Sequence, residues 1–271
     1  MQCRTCESHR YDIRLTRTTQ SQSGTKTRIL LTGASGLLGR ELALRIARPG
    51  VRLAIWGRNK AALTELAAQC REAGAEAEIC ILDLSDTNSA LLALVTQDQT
   101  DPFDIALLVA GQGDTLPPGA LTEDPSQVVR LAQTNFVTPA AMASLLAERM
   151  AARGGGRIAL VGTAAASHSL PFAASYAGSK AGLARFSDAL RLAVGKRGVS
   201  VTLISPGFFG GKVRSRPGEI AAGEVAEQMI AAVMNGQAEL VVPRWFLLLR
   251  WLDRLLPRLL RDRILLSLRL P

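Results

Sequence analysis

Short apolar runs alternate with longer helical stretches along most of this chain, and that alternation constrains its fold more than any other feature. The runs have the length of buried strands, and they are Ile29–Leu31, Val51–Trp56, Ala77–Leu82, Asp104–Ala110, Arg157–Val161, Val199–Ile204 and Glu239–Val242. The predicted helices are Leu38–Ala47, Lys60–Ala73, Thr87–Thr100, a broken run from Pro125 to Arg153, Tyr176–Lys196 and Glu219–Asn235. This order predicts one α/β domain over residues 28–243, built on a Rossmann-like, doubly wound parallel sheet.

The formal charge of +9 suggests nucleic-acid binding until the charges are located along the chain. Residues 29–243 contain 19 basic and 19 acidic residues, so the predicted domain is neutral. The excess lies in residues 1–28, with a net charge of +4, and in residues 244–271, with a net charge of +5. A neutral folded body argues against nucleic acid as a partner.

Residues 1–27 are rich in Thr, Ser, Gln and Arg and lack periodic apolar positions, which predicts a disordered leader. The chain has four cysteines, too few and too unevenly spaced for a disulfide framework, and no segment is typical of a secretory signal. These features predict a cytoplasmic protein. Cys3, Cys6 and His9 have metal-like spacing but do not complete a tetrahedral site, so we expect no bound metal.

A glycine-rich loop, Thr32-Gly33-Ala34-Ser35-Gly36-Leu37-Leu38-Gly39, follows the first predicted strand and opens the first predicted helix. Its glycines permit a tight turn and the close approach of a pyrophosphate, while the helix N-terminus favours an anion. A plain glycine-rich turn is the alternative, but the flanking strand and helix favour dinucleotide binding. The expected cofactor contacts in this loop are Gly33, Ser35, Gly36, Leu37, Leu38 and Gly39.

The second predicted strand ends at Trp56-Gly57-Arg58-Asn59, where a dinucleotide-binding fold selects its cofactor. A carboxylate at this place binds an unmodified ribose, whereas a cation accommodates a 2′-phosphate. Arg58 offers a planar and permanently charged group for phosphate. With Asn59 beside it, Arg58 predicts NADP(H) rather than NAD(H), and a solvent-exposed surface arginine is the alternative.

The strongest local signal is Ser175-Tyr176-Ala177-Gly178-Ser179-Lys180, at the start of a long helical stretch. Tyr176 and Lys180 are four residues apart and therefore lie on one face of a helix. A free tyrosine has a pKa of ~10, and a neighbouring ammonium or an oxidised nicotinamide lowers that pKa by favouring the phenolate. The pair suits proton transfer, although the same spacing is common on exposed helices.

Taken together, these segments resemble the short-chain dehydrogenase/reductase family over roughly Arg28 to Val242. In that family the glycine loop, an aspartate after the third strand, Ala-Gly after the fourth, an asparagine, a serine, Tyr-x-x-x-Lys and Pro-Gly recur in this order. The residues that match are Gly33, Gly36, Gly39, Asp83, Leu84, Ala110, Gly111, Asn135, Thr163, Tyr176, Lys180, Pro206 and Gly207. The chain has the family's standard length, but its Gly-x-x-Gly-x-x-Gly spacing is typical of the extended branch.

The resemblance implies an oxidoreductase that transfers a hydride between a nicotinamide and a carbonyl or alcohol. It implies that Tyr176 is the acid/base and that Lys180 binds the nicotinamide ribose and lowers the tyrosine's pKa. Thr163 stands in place of the family's substrate-binding serine, and its hydroxyl has the same donor and acceptor capacity. Asn135 would support a water-linked proton path, and Asp83 would lie against the adenine. The remaining cofactor contacts would come from Leu84, Ala110, Gly111, Pro206 and Gly207.

Two further positions depart from the family's usual pattern. Val109 stands where an asparagine is common, and Gly211 stands where a threonine often contacts the carboxamide, so the loop Phe208–Pro217 would hold the nicotinamide differently. These departures leave open a nucleotide-binding regulatory or scaffold protein, and the glycine spacing leaves open a nucleotide-sugar epimerase or dehydratase. We expect a homo-oligomer and an apolar small-molecule carbonyl or alcohol substrate, with Phe172, Phe208 and Phe209 near its pocket. Core packing is the alternative for these three phenylalanines.

Residues 244–271 form a basic tail with an amphipathic pattern. Four arginines recur at helical spacing and would form one cationic face: Arg250, Arg254, Arg258 and Arg261. Leucines, Trp245 and Trp251 would lie opposite them, and Pro257 would divide the tail into two short helices. No apolar run approaches the ~20 residues that cross a bilayer. The pattern fits an in-plane membrane contact, with packing on the body or on a partner subunit as the alternative.

Overall fold

The computed structural model describes residues 26–113, 115–117, 119–211 and 219–267. Its strands are β1 (Thr27–Thr32), β2 (Val51–Gly57), β3 (Glu76–Ile81), β4 (Ile105–Leu108), β5 (Gly156–Val161), β6 (Val199–Pro206), β7 (Phe209–Gly210), β8 (Ile220–Ala221) and β9 (Glu239–Val242). Its helices are α1 (Leu37–Ile46), α2 (Lys60–Glu72), α3 (Thr87–Thr100), α4 (Pro125–Ala132), α5 (Thr138–Ala152), α6 (Ala174–Val194), α7 (Ala222–Met234), α8 (Phe246–Leu255) and α9 (Arg258–Ser267). Most of the predicted leader, and with it Cys3, Cys6 and His9, lies outside the described residues.

Seven strands form one parallel sheet in the order β3-β2-β1-β4-β5-β6-β9. Leu31 of β1 pairs with Ile55 of β2 on one side and with Leu107 of β4 on the other. The chain moves outward from β1 to β3 and then returns to the opposite side of β1 at β4. This switch point opens a crevice at the carboxyl ends of the strands, where sheets of this type bind ligands. The predicted doubly wound parallel sheet is confirmed.

Helices cover both faces of the sheet because successive strand side chains point to opposite sides. Ile29 and Leu31 of β1 pack in an apolar cluster with α1, α2 and α7, whereas Leu30 packs with α3, α5 and α6. Trp56 of β2 is fully buried in the second cluster, and its indole N–H donates to Gln97 Oε1 at 3.1 Å. The strands that lead into the crevice are therefore held from both sides.

The broken run predicted from Pro125 to Arg153 consists of three segments. Helices α4 and α5 are joined by a π-helical turn, Gln133–Val137, so the chain continues without a loop between them. A π turn contains more residues than an α turn, and this shifts the apolar face between α4 and α5. That shift explains why the sequence pattern loses its period in this region.

Other element boundaries differ from the prediction by a few residues. Strand β1 begins at Thr27, inside the predicted leader, and β4 is shorter than the predicted Asp104–Ala110. Helix α7 begins at Ala222 rather than Glu219 because β8 precedes it and pairs with β7 in a small second sheet. Two-residue strands are too short to show a pattern in the sequence.

Pro257 divides the tail into α8 and α9, as predicted. The predicted cationic face is wrong for Arg250, because its guanidinium points to the body and donates to both carboxylate oxygens of Glu239 at 2.8 and 3.0 Å. The four leucines of α8 whose side chains are described, Leu247, Leu248, Leu249 and Leu255, are exposed. The side chain of Arg254 and residues 268–271 lie outside the described part of the chain. None of the helices in that part is long and apolar enough to cross a membrane.

Candidate active site

A cleft of about 380 Å³ opens where the carboxyl ends of β1 and β4 meet. Its walls include eleven of the residues predicted to contact the cofactor: Gly33, Ser35, Gly36, Leu37, Leu38, Gly39, Arg58, Asp83, Leu84, Ala110 and Gly111. Asn59 lies outside these walls, since its side chain caps α2 by accepting a hydrogen bond from Ala62 N at 3.1 Å. Val109 and Phe209 also line the cleft.

The glycine loop is packed directly against the segment that follows β4. Gly33 has a φ of +68°, and a Cβ on it would lie 2.7 Å from Ala110 Cα. A Cβ on Gly39 would overlap the Gly33 carbonyl oxygen. The Thr32 hydroxyl accepts hydrogen bonds from Val109 N at 3.1 Å and from Ala110 N at 3.2 Å. Side chains are thus excluded where an anionic group would meet the N-terminus of α1.

Arg58 stands at the rim of the cleft with 61% of its side chain exposed. Its Nη1 is 3.8 Å from Asp83 Oδ2, a loose ion pair in which both groups are solvated. The pKa of the Asp83 carboxyl is lowered, first by the hydrogen bond from Ser85 N at 2.9 Å and less by the Arg58 charge. The guanidinium therefore lies near the cleft in only a loose ion pair, and it is accessible to a ligand.

Lys180 lies on the buried face of α6, which it shares with Ala177 and Leu183 at helical spacing. Its Nζ donates to the Val161 carbonyl oxygen at 2.7 Å, and the residue is 4% exposed. Burial lowers the pKa of the ammonium from 10.5 to about 8, so it is still mostly protonated at neutral pH. A Cβ on Gly111 would lie 2.9 Å from Nζ. The ammonium therefore stands between the ends of β4 and β5.

Tyr176 and Thr163 meet at the end of β5, where the Thr163 hydroxyl is close enough to the phenol to affect its pKa. Thr163 Oγ1 also donates to the Pro206 carbonyl oxygen at 3.3 Å, which connects it to the end of β6. Burial raises the pKa of the Tyr176 phenol, and the Thr163 hydroxyl opposes that rise. From the sequence we expected the Lys180 ammonium to lower this pKa. In the structure the cost of desolvating the phenolate prevails.

Asn135 is fully buried in the π-helical turn. Its Oδ1 accepts from Gln112 N and its Nδ2 donates to Gln112 O, both at 2.8 Å. A Cβ on Gly111 would lie 3.1 Å from the same Oδ1. The Asn135 amide therefore fixes the segment after β4 beside Lys180, a contact that the sequence pattern did not indicate.

Glu123 is a functional candidate that the sequence analysis missed. Helix α6 lacks a capping side chain of its own, and Glu123 Oε2 accepts from Ser175 N at 2.8 Å from 52 residues earlier in the chain. A carboxylate at a helix N-terminus binds an otherwise unpaired N–H and favours the helix dipole. The contact anchors the helix one residue before Tyr176. Only a three-dimensional structure could reveal a partner so distant in sequence.

Of the remaining predicted contacts, Gly207 lies outside the cleft and against the tail. Its N–H donates to the Val242 carbonyl oxygen at 2.7 Å, and a Cβ on it would overlap the ring of Phe246. Pro206 contributes the carbonyl that Thr163 binds. Residues 212–218, which include most of the loop predicted to hold the nicotinamide, lie outside the described part of the chain.

A family model described as short chain dehydrogenase matches residues 27–218. An uncharacterized oxidoreductase of Myxococcus xanthus is 32% identical over 221 residues, which is 79% of this chain and 86% of that protein. Estradiol 17-beta-dehydrogenase 11 of Rattus norvegicus is 25% identical over 242 residues, covering 86% of this chain and 81% of the relative.

Solved structures share the fold at lower identity. A bulky-bulky ketone specific alcohol dehydrogenase from Comamonas testosteroni matches with a TM-score of 0.76 and 21% identity, over 90% of this chain and 96% of the other. A short-chain dehydrogenase from Sphingobium yanoikuyae in complex with NADPH matches with a TM-score of 0.75 and 23% identity, over the same shares. With the family model covering most of the folded body, this chain belongs to the short-chain dehydrogenase/reductase family of oxidoreductases, which bind a nicotinamide cofactor.

Proposed function

We propose that this protein is an NADP(H)-dependent oxidoreductase that transfers a hydride between the nicotinamide and an apolar carbonyl or alcohol. One observation carries the proposal: Thr163, Tyr176 and the buried Lys180 converge at the end of β5, beside the glycine-lined cleft. In a member of this family, a phenol, a hydroxyl and an ammonium so grouped suit proton transfer to a reacting oxygen.

The cleft fits a dinucleotide on its own geometry. Gly33 and Gly39 exclude any side chain from the turn, and α1 begins directly behind it, so backbone N–H groups are accessible to a pyrophosphate. Arg58 would bind a 2′-phosphate, and Asp83 and Leu84 would border the adenine. The nicotinamide, when bound, supplies or accepts the hydride.

The chain's own residues would handle the proton. Tyr176 would donate its phenolic proton to the carbonyl oxygen during reduction and take it from the alcohol during oxidation. The Thr163 hydroxyl would donate a hydrogen bond to the same oxygen. Lys180 would keep a positive charge near the phenolate as it forms, and Asn135 would hold the segment after β4 in place. The raised pKa of Tyr176 favours the protonated phenol, which is the form that reduction requires.

Replacing Tyr176 by phenylalanine tests the proton-transfer role. We expect the turnover of an accepted substrate to fall by on the order of 10²- to 10⁴-fold, the usual contribution of a positioned acid/base. The dissociation constant for NADPH should stay unchanged, because the change removes only a hydroxyl. Full activity in this variant would contradict the proposal. A screen of NADPH oxidation against aldehydes, ketones and lipid-like 3-oxo compounds would supply the substrate.

Replacing Arg58 by glutamine tests the cofactor preference. Losing a charged hydrogen-bonding group should weaken NADPH binding by about 10- to 100-fold, while NADH binding changes little. The matched change Arg48→Gln, at the other end of the sheet, should alter neither. Equal weakening of both cofactors by R58Q would contradict a role in 2′-phosphate recognition. The neighbour in complex with NADPH supports the same preference.

The competing functions have less support. A regulatory or scaffold protein would not need Thr163, Tyr176 and the buried Lys180 near one another at the end of β5. Nucleotide-sugar chemistry rests only on the glycine spacing, and the described chain forms one body around one large sheet. Homo-oligomerisation, a cytoplasmic location and the boundaries of the leader stay predictions.

A further inference from the structure

The tail carries an unusual concentration of exposed apolar side chains. Among the described residues, ten of the twenty exposed large apolar side chains lie in α8, α9 and the residue before α8. We call this set the tail surface, and it consists of Trp245, Leu247, Leu248, Leu249, Trp251, Leu255, Leu259, Leu260, Ile264 and Leu266. Exposed apolar groups so clustered mark a contact surface.

The tail is fixed to the body by its other side. Phe246 is 8% exposed and packs with Ala164 and Val241. Arg250 forms an ion pair with Glu239 of β9, and Leu265 of α9 is 7% exposed. Among the described side chains of the tail, few apolar ones take part in these contacts, and the tail surface remains outward.

The charges around the tail surface are positive. Arg244, Arg258 and Arg263 are exposed, whereas the carboxylate of Asp262 is half-buried and contacts Arg261 at 3.3 Å and, more loosely, Arg258 at 3.7 Å. Residues 244–271 carry a net charge of +5, while residues 29–243 carry none. In a symmetric contact with a second copy, these arginines would face the same arginines and repel them. An anionic partner would instead attract them, so the charges favour an anionic partner.

We propose that the tail surface docks in the plane of an anionic lipid bilayer. Two ten-residue helices, each too short to span, can lie with leucine and tryptophan below the headgroups while arginines contact the phosphates. Helix α8 also walls a cavity of about 430 Å³ that extends to Thr163. Docking would thus bring the carboxyl end of the sheet close to the membrane.

Tryptophan fluorescence of the whole chain offers a direct measurement. Trp245 and Trp251 are 49% and 59% exposed, and the third tryptophan, Trp56, is fully buried. Adding vesicles of equal parts phosphatidylcholine and phosphatidylglycerol should shift the emission to the blue, and vesicles that carry brominated acyl chains should quench it. Vesicles of phosphatidylcholine alone should bind on the order of 100-fold more weakly, the contribution of three arginines near an anionic surface.

Matched variants decide whether the tail surface is responsible. The double variant Leu248→Glu/Trp251→Glu should lose vesicle recovery in flotation, and Arg244→Gln/Arg258→Gln/Arg263→Gln should lose the preference for phosphatidylglycerol. The control Leu92→Glu/Leu192→Glu changes equally exposed leucines on α3 and α6 and should float like the unchanged chain. Circular dichroism checks that each variant is folded.

Three results would overturn the proposal. The first is equal recovery of the unchanged chain and the L248E/W251E variant. The second is equal binding to charged and neutral vesicles. The third combines two observations: the unchanged chain does not bind vesicles, and light scattering shows that it forms an oligomer which the L248E/W251E variant does not form. That result would make the tail surface an interface between copies. None of these measurements uses enzymatic activity, so the docking and the proposed reaction can fail separately.

Discussion

Replacing Lys180 by methionine should change how the stability of this protein depends on pH. The folded protein holds the ammonium at a pKa of about 8, whereas the unfolded chain has the ordinary value of 10.5. Between these values the unfolded state binds more protons than the folded state. The free energy of unfolding therefore rises with pH in this window, and the cost of burying the charge disappears as Lys180 loses its proton.

The magnitude follows from the size of the shift. At about 1.4 kcal/mol per pKa unit, the buried charge costs about 3 kcal/mol at neutral pH. Raising the pH from about 7 to about 9.5 should therefore increase the free energy of unfolding of the unchanged protein by about 2 kcal/mol through this residue. Methionine does not titrate, so K180M should lack this increase. The raised pKa of Tyr176 acts in the opposite direction, but only above about pH 10, where the unfolded phenol ionises.

Urea denaturation of both proteins across this pH range measures the effect. The informative quantity is the difference between the two free energies of unfolding, because buried Cys70 and every other titrating group is common to both and cancels. The absolute difference at pH 7 is less informative, since K180M also leaves the Val161 carbonyl without its donor. A difference that stays constant or moves the other way would refute a buried, charged Lys180.

Two further predictions concern the fold and the cofactor cleft. Asp98→Ala should lower the free energy of unfolding by about 3 kcal/mol, because the buried carboxylate contacts both Arg149 and Arg153 and its loss leaves those charges unpaired; chemical denaturation measures this. Gly39→Ala should weaken NADPH binding at least about 10-fold, because its methyl group would overlap the Gly33 carbonyl oxygen and displace the turn; fluorescence titration measures this.

Each of these predictions has a matched control in the chain. Asp188→Ala removes an exposed carboxylate that pairs with Arg191 and should change stability by less than about 1 kcal/mol. Gly195→Ala adds a methyl group where nothing lies within 4 Å and should leave NADPH binding unchanged. Equal effects of a variant and its control would count against the corresponding structural explanation.

The sequence predicted the sheet, the glycine loop and the position of the Tyr176 helix because each has a short-range pattern. Apolar runs such as Val199–Ile204 are buried on both faces, so their composition alone identifies them as strands. Tyr176 and Lys180 are close because one helix carries both. The meeting of these two residues with Thr163 depends on strand order, which only the resemblance to a family could supply.

The parts that sequence did not reveal depend on long-range contacts. Arg250 faces Glu239 because α8 returns to β9, and a helical wheel of the tail alone places it with solvent-facing arginines. The rise in the pKa of Tyr176 comes from burial by the assembled body. Glu123 lies before α4 and binds Ser175 N at the start of α6, and the local sequence around either residue does not indicate the other.

The contact between Gly33 and Ala110 has a consequence for redesign of the cleft. Because no methyl group fits between the two backbones, a shift of the turn after β1 would also displace the segment after β4. A longer or stiffer glycine turn taken from a relative would push the Ala110 segment, and with it Gly111 and the Lys180 ammonium. Replacing the glycine turn in this chain would therefore require replacing the segment after β4 with it.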